Sequence, residues 1–174
     1  MKTLLISTTL LLASLSLATA QAPKKGAASP PADTSVMLDG KTLSIKYAAP
    51  VMRGRKIFGE LVPFGQVWRA GANSATAFHT DADISIGTVK VPKGDYTLYV
   101  VPTEKEWTLV INKQTGQWGT EYSQGKDLGH TKMTLTSSPT AIESYKMSLS
   151  GSGKSGKLQL EWEKSIATVA IKVN

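Results

Sequence analysis

The chain has 174 residues and no cysteine, and its 20 lysines and arginines outnumber 13 aspartates and glutamates to give a formal net charge of +7. Without cysteine the fold contains neither a disulfide nor a cysteine-ligated metal, so its stability must come from an apolar core. The basic residues are scattered and match no nucleic-acid-binding motif, which argues against nucleic acid as a partner.

The first 20 residues have the pattern of a secretory signal peptide. A positive start at residues 1–2 precedes an apolar run over residues 4–17, and residues 18–20 (Ala-Thr-Ala) fit a small-x-small cleavage site. The apolar run is too short for a permanent membrane span, so we predict no transmembrane segment in the mature chain. The pattern predicts an exported protein, either periplasmic or secreted.

Residues 21–34 are predicted to be a disordered linker. They consist largely of Pro, Ala, Lys and Ser and offer no large apolar side chain for burial. The rest of the chain, residues 35–174, has the usual length of one domain with one core.

Alternating apolar and polar residues dominate residues 35–174 and predict β-strands. In KTLSIKYA, the side chains of Leu43, Ile45 and Tyr47 share one face, and the polar residues between them share the other. Similar alternation follows in DYTLYVV, EWTLVIN, KMTLTS, YKMSLSG, KLQLEWE and ATVAIKV. We therefore predict roughly nine to eleven short strands in an all-β fold, a single antiparallel β-sandwich domain.

Two glycine-containing segments predict the connections between strands. Asp39-Gly40 separates two apolar runs and is a strong signal for a two-residue β-hairpin turn. The segment GSGKSG, residues 151–156, is predicted to be a flexible loop between two late strands.

One irregular segment, residues 49–71, interrupts the alternation. Its prolines and glycines exclude a regular strand, and RKIFGELV within it is compatible with a single helical turn. Because the segment also contains apolar residues that need burial, we predict a long ordered loop packed over one edge or end of the sandwich. These apolar residues are Ile57, Phe58, Leu61, Val62, Phe64, Val67 and Trp68.

All three arginines of the chain, Arg53, Arg55 and Arg69, lie in this loop, whereas the lysines are spread along the sequence. Glu60 is the only carboxylate between residues 48 and 80. The flat guanidinium group binds carboxylate, phosphate or sulfate through two parallel hydrogen bonds and stacks on aromatic rings. The loop therefore predicts a site for an anionic ligand.

Aromatic and amide side chains extend this predicted site. Trp68 adjoins Arg69, and Asn73 offers an amide for either a ligand or its own turn. Trp118 and Tyr122 add stacking surfaces if their segment meets the loop in space. Such a site suits an anionic small molecule or a carbohydrate. The predicted binding residues are Arg53, Arg55, Trp68, Arg69, Asn73, Trp118 and Tyr122.

The arginines also have a structural interpretation, which the sequence leaves open. A glycine-rich loop has many carbonyl groups that need donors, and each arginine supplies five N–H groups. The guanidinium groups could therefore bind main-chain oxygens, or acids such as Glu60, Asp81 or Asp83. The ligand hypothesis requires them to face a cavity, and the structural hypothesis requires them to be bonded within the protein.

No sequence motif predicts catalytic residues, a metal site or a cofactor. The two histidines have no H-x-x-x-H or HExxH spacing, and no G-x-S-x-G elbow is present. The favoured hypothesis is a non-catalytic binding module for an anionic small molecule, a carbohydrate or a cell-envelope partner. His79 and Asp81 share a strand face, so the alternative is a hydrolase that uses His79 with Asp81 or another acid.

Several long motifs occur in a fixed order: RGRKIFGELVPFGQVWRAGAN followed by Ala75-Thr76, then VPKGDYTLYVVP, EWTLVINKQTGQWG and LQLEWE. Together they resemble a family of bacterial exported domains, domain-of-unknown-function family 2911. The resemblance spans residues 35–174 and implies a β-rich exported domain, without implying a function. Ser74 departs from the family, in which an acidic residue often occupies this position, so any role of that carboxylate is in doubt here.

Overall fold

Nine β-strands and one short 3-10 helix make up residues 29–174, the part of the chain that the computed structural model describes. The predicted signal peptide and residues 21–28 of the predicted linker lie outside it. The strands are β1 (Pro31–Leu38), β2 (Lys41–Ala48), β3 (Thr76–Thr80), β4 (Ile84–Ile86), β5 (Val89–Val91), β6 (Gly94–Pro102), β7 (Trp107–Asn112), β8 (Asp127–Ser152) and β9 (Ser155–Val173). The 3-10 helix spans Gln124–Lys126. Within residues 29–174, no helix is long and apolar enough to cross a membrane.

The strands follow one hydrogen-bonded order, β1-β2-β3-β6-β7-β8-β9-β4-β5, and every neighbouring pair is antiparallel. The 26-residue strand β8 belongs to two layers, because its first part pairs with β7 and the rest pairs with β9. The sheet folds over so that β1 packs on the far end of β8, where the N–H of Leu149 donates to the hydroxyl of Thr34 at 3.1 Å. The predicted all-β antiparallel fold is confirmed, with its two layers joined through β8.

The apolar core lies between these layers and follows the sequence alternation. Leu43 and Ile45 on β2 are fully buried, while the flanking Thr42 and Lys46 are exposed. Complete burial of one Leu or Ile side chain stabilises the folded state by about 1.5–3 kcal/mol. The alternation therefore sets which face of each strand turns inward.

The β1–β2 hairpin confirms the Asp39-Gly40 turn but moves the start of the domain. Asp39 and Gly40 both have positive φ, 51° and 71°, as this tight turn requires. However, β1 begins at Pro31, so the prediction that residues 31–34 belong to a disordered linker is wrong. These residues lack large apolar groups, but their main chain pairs with β2 along the sheet edge, a position where proline is tolerated.

The predicted flexible loop at residues 151–156 is instead a tight hairpin. Ser152 ends β8, Ser155 begins β9, and the two residues pair with each other. The flanking glycine at 156 has a packing role, because a Cβ there would lie 2.7 Å from Cδ1 of Leu38. The glycines therefore permit close packing on β1 rather than flexibility.

Residues 49–71 form an ordered loop of turns, without the helical turn, and the loop docks on β8. The N–H of Met52 donates to the carbonyl of Glu143 at 2.9 Å, and the N–H of Tyr145 donates to the carbonyl of Pro50 at 2.8 Å. The loop meets β8 where the β8–β9 register is irregular, between Ser137 and Lys146. Such an irregularity leaves backbone groups free for other partners.

A carboxylate on β9 holds the middle of the loop. Its two oxygens, Oε1 and Oε2 of Glu163, accept hydrogen bonds from the N–H groups of Ile57 and Phe58 at 3.2 and 3.3 Å. Glu163 has a φ of 54°, a left-handed conformation at the end of the irregular segment. Together with the β8 contacts, this carboxylate fixes the loop over the irregular middle of the β8–β9 pair.

Only some of the apolar side chains of the loop are buried. Ile57, Phe58 and Val62 are buried as predicted. Leu61, Phe64 and Val67 are 47%, 37% and 38% exposed, so the prediction that they need burial is wrong. These three side chains lie on the outer surface of the loop.

Candidate functional site

All three arginines line a single cavity of about 440 Å³, here called the arginine cavity. Trp68 and Trp162 contribute to its wall, and no aspartate or glutamate lines it. Within residues 29–174, no arginine forms a salt bridge with a carboxylate. The positive charge of the cavity is therefore not balanced by acids of the described chain.

The side chain of Arg55 stabilises the loop itself. Its Nε donates to the carbonyl of Met52 at 2.9 Å, and its Nη2 donates to the carbonyl of Val51 at 2.7 Å. These bonds close the turn that begins the loop. The structural interpretation of the arginines therefore applies to Arg55.

Arg53 presents its guanidinium group to solvent and to the cavity. Its backbone has a φ of 52°, and its N–H donates to Oε1 of Glu143 at 2.8 Å. The guanidinium itself makes no hydrogen bond with residues 29–174. The backbone of Arg53 is thus fixed while its charge remains available.

Arg69 is partly buried and lacks a partner in the described chain. Its Nε is buried and donates to no group of residues 29–174. Its aliphatic stem packs on Gly119, where a Cβ would collide with Cδ of Arg69. Burial of a charged donor without an acceptor is unfavourable. Residues 1–28 contain no aspartate or glutamate, so they cannot supply a side-chain carboxylate.

An aromatic stack forms a firm wall of the arginine cavity. The rings of Trp68 and Trp162 stack at 5.7 Å with an interplanar angle of 19°, and Tyr145 meets the Trp68 ring edge-on at 5.0 Å. The backbone of Trp68 exchanges two hydrogen bonds with Val100 of β6, at 2.7 and 2.8 Å. The wall is therefore anchored to both layers of the fold.

The segment that contains Trp118 meets the loop, as the ligand hypothesis requires. The N–H of Gly119 donates to the carbonyl of Asn73 at 3.0 Å, and Ser74 forms an isolated bridge with Trp118. Trp118 is 51% exposed, and Asn73 is exposed with a φ of 60°. Neither residue lines the arginine cavity, although Asn73 lines the neighbouring one.

Tyr122 belongs to a different network from the other predicted binding residues. Its hydroxyl donates to Oδ2 of Asp127 at 2.5 Å, and its ring packs on Tyr99 at 5.0 Å. The same carboxylate oxygen lies 2.7 Å from Nε2 of His130. Burial and the hydrogen bond to Asp127 raise the pKa of Tyr122. Its phenol is therefore engaged by the protein rather than directed at the arginines.

Sequence reasoning missed three residues that shape the site. Trp162 looked like ordinary core in its strand pattern, and Glu143 and Glu163 showed no local sign of supporting the loop. The one available signal was LQLEWE, in which Trp162 alternates with two carboxylates. That alternation was compatible with a simple solvated strand face.

His79 lies between two carboxylates, away from the arginine cavity. Its Nδ1 is 2.8 Å from Oδ1 of Asp95, and its Nε2 is 3.1 Å from Oδ1 of Asp81. The hydrogen bond to Asp95, then that to Asp81, raises the pKa of His79, and the bond from His79 lowers the pKa of Asp81. With both ring nitrogens engaged, the arrangement favours an imidazolium rather than a general base. The hydrolase hypothesis thus gains no support here and stays a prediction.

We expect the His79 interactions to stabilise the fold at acid pH and not at alkaline pH. Because its pKa is raised in the folded state, the contribution is fully present below the ordinary value of 6.5 and is lost as pH rises through the folded pKa. Exposed pairs of this kind contribute at most about 1 kcal/mol. Urea unfolding of wild type and His79→Gln at about pH 5.5 and about pH 9 should show a difference only at the lower pH. An equal difference at both values contradicts the assignment.

The fold and the site define a class of protein: an all-β domain whose long loop gathers three arginines around a cavity without carboxylates. Residues 29–171 match the family model described as "Protein of unknown function (DUF2911)", and the chain belongs to this family. The resemblance seen in the motifs is confirmed, and the match begins at residue 29 rather than 35. No curated protein and no solved structure matches the chain. Within residues 29–174, no group of three or more His, Cys, Asp or Glu side chains could hold a metal ion.

Proposed function

We propose that this domain is a non-catalytic module that binds an anionic ligand in the arginine cavity. The observation that carries the proposal is Arg69, a partly buried cation whose Nε has no acceptor in the described chain. An oxyanion in the cavity would supply charge and acceptors where the protein has neither. Carboxylate, phosphate and sulfate groups all have this chemistry.

The three arginines have different roles in the proposed site. Arg55 holds the turn through main-chain carbonyls, whereas Arg53 and Arg69 keep guanidinium groups without hydrogen-bond partners in the described chain. The loop is already fixed by Glu143 and Glu163, so little ordering is needed when a ligand binds. A site prepared in this way needs little rearrangement to accept a ligand.

The sequence adds a location to the proposal. The predicted signal peptide indicates export, so the ligand would be met in the periplasm or outside the cell. Anionic small molecules, acidic carbohydrates and anionic envelope components are the corresponding ligand classes.

Sulfate should raise the melting temperature of the wild-type protein more than chloride does at equal ionic strength. A ligand that binds only the native state stabilises it by about 1.4 kcal/mol at ten times its Kd, or roughly 3–5 °C for a domain of this size. Loss of one charged hydrogen-bonding group should weaken binding about tenfold or more. We therefore expect Arg69→Gln and Arg53→Gln to lose most of the sulfate shift, measured by differential scanning fluorimetry.

Lys172→Gln is the matched control, because it removes one positive charge from an exposed position on β9 that does not line the arginine cavity. It should respond to sulfate as wild type does. Sulfate also stabilises proteins generally through exclusion from their surfaces. An undiminished sulfate shift in Arg69→Gln would therefore mean that the effect is general, and the proposed site would be wrong.

A further inference from the structure

A second cavity of about 650 Å³ adjoins the arginine cavity. Ser29 and Ala72 line both cavities, so the two are neighbours on the surface. Small side chains make room in the second cavity, which is here called the alanine cavity after Ala48, Ala72, Ala75 and Ala77. Tyr47 and Thr97 also line it.

A fixed amide lies in the wall of the alanine cavity. The hydroxyl of Thr97 donates to the carbonyl of Gln114 at 2.8 Å, and the hydroxyl of Tyr99 donates to the carbonyl of Glu121 at 3.0 Å. Both hydroxyls therefore accept from Nε2 of Gln117, at 3.2 and 2.9 Å. Because this network sets the orientation of the amide, its Oε1 faces away from the hydroxyls.

Oε1 of Gln117 is buried and accepts no hydrogen bond from residues 29–174. Gln117 is only 8% exposed and its Nε2 is held by two hydroxyls, so the amide is a fixed part of the cavity wall. Asn73, Ser74 and Lys46 add exposed hydrogen-bonding groups to the same cavity. The alanine cavity thus combines apolar walls with a few polar groups, as ligand sites usually do.

We infer that the two cavities form one groove for an acidic oligosaccharide. This inference rests on the proposed function: the acidic group lies in the arginine cavity, and adjacent sugar units lie in the alanine cavity. A pyranose ring presents C–H surface to the alanine side chains, and its hydroxyls are donors and acceptors for Asn73, Ser74 and Lys46.

The polar groups favour a sugar over an acyl chain. An acyl chain in the alanine cavity would leave Asn73 and Ser74 without partners as it displaced their water, which is unfavourable. Trp118, 51% exposed and bridged to Ser74, lies beside the groove and offers a flat surface for one more sugar ring. One elongated, acidic, polyhydroxylated ligand would thus complement the side chains of both cavities.

Isothermal titration calorimetry with three defined probes tests this inference. The probes are tetragalacturonate, an acidic tetrasaccharide; galacturonate, its monosaccharide; and maltotetraose, a neutral tetrasaccharide. We expect tetragalacturonate to bind at least about tenfold more tightly than galacturonate, because only the longer chain reaches the second cavity. Maltotetraose should not bind measurably, because it lacks the acidic group.

Two variants separate the alanine cavity from the arginine cavity. Ala77→Phe fills the alanine cavity from an exposed position on β3, and it should reduce tetragalacturonate affinity to that of galacturonate while keeping the wild-type sulfate shift. Asn73→Gly removes the amide but tolerates the φ of 60°, and it should also weaken tetragalacturonate binding. Arg69→Gln should abolish binding of both acidic sugars.

The possible failures are distinguishable. If tetragalacturonate binds no more tightly than galacturonate while the sulfate shift persists, the oligosaccharide inference is wrong and the anion site stands. Binding of maltotetraose that Arg69→Gln does not weaken also overturns it. If sulfate itself has no arginine-dependent effect, the proposed function fails and the inference fails with it.

Discussion

Trp162→Ala is expected to lower the free energy of unfolding by about 3–5 kcal/mol, the usual cost of removing a large buried aromatic side chain. The indole of Trp162 is 1% exposed and stacks on Trp68. It also packs against Phe58 at 6.1 Å and Tyr145 at 5.7 Å between ring centroids. Its removal opens a void behind the wall of the arginine cavity, so the sulfate shift should be lost as well.

Trp118→Ala is the matched control for this experiment. The same substitution at a side chain that is 51% exposed should cost less than about 1 kcal/mol. Urea unfolding followed by circular dichroism measures both variants without relying on tryptophan fluorescence. Similar losses for the two variants would contradict the assignment of Trp162 to the structural wall of the cavity.

Glu163→Ala is expected to destabilise the fold by about 2–3 kcal/mol, because two backbone N–H groups lose a charged acceptor. These N–H groups belong to Ile57 and Phe58, in the middle of the loop between Arg53 and Arg69. Their release loosens the loop, so the variant should also show a weaker sulfate shift than wild type. Urea unfolding and differential scanning fluorimetry measure the two effects.

Two further variants identify the cause. Glu163→Gln keeps one acceptor oxygen at the same backbone conformation and should recover part of the lost stability. Glu104→Ala removes an exposed carboxylate that accepts no hydrogen bond in the described chain, and its stability should match that of wild type. If Glu163→Ala unfolds at the same urea concentration as Glu104→Ala, the Glu163 carboxylate does not hold the loop.

The fold was largely predictable because strand alternation is a local signal. Leu43 and Ile45 point inward because each is two residues from the next apolar position, and the Asp39-Gly40 turn needs no distant contact. The start of β1 was not predictable in this way. Residues 31–34 have a linker composition, and their strand conformation depends on pairing with β2.

The site was predictable in position but not in its division of roles. The confinement of arginine identified the loop, and the structure places all three arginines around one cavity. Residue type does not separate Arg55 from Arg53: the guanidinium of Arg55 bonds carbonyls three and four residues earlier, whereas the backbone of Arg53 is held by a carboxylate 90 residues away in sequence. Likewise, only packing on Tyr99 and bonding to Asp127 separate Tyr122 from the arginines.

The dependence of the loop on β8 and β9 sets the order in which the arginine cavity can assemble. These are the last two strands of the described chain, and they carry Glu143, Glu163 and Trp162. A nascent chain that ends at β7 already contains the three arginines and the β6 partners of Trp68, but it lacks the β8 and β9 groups that hold the rest of the loop. Contacts between segments this far apart in sequence form slowly, after long-range loop closure. The arginine cavity would therefore form only after synthesis of the β8–β9 hairpin.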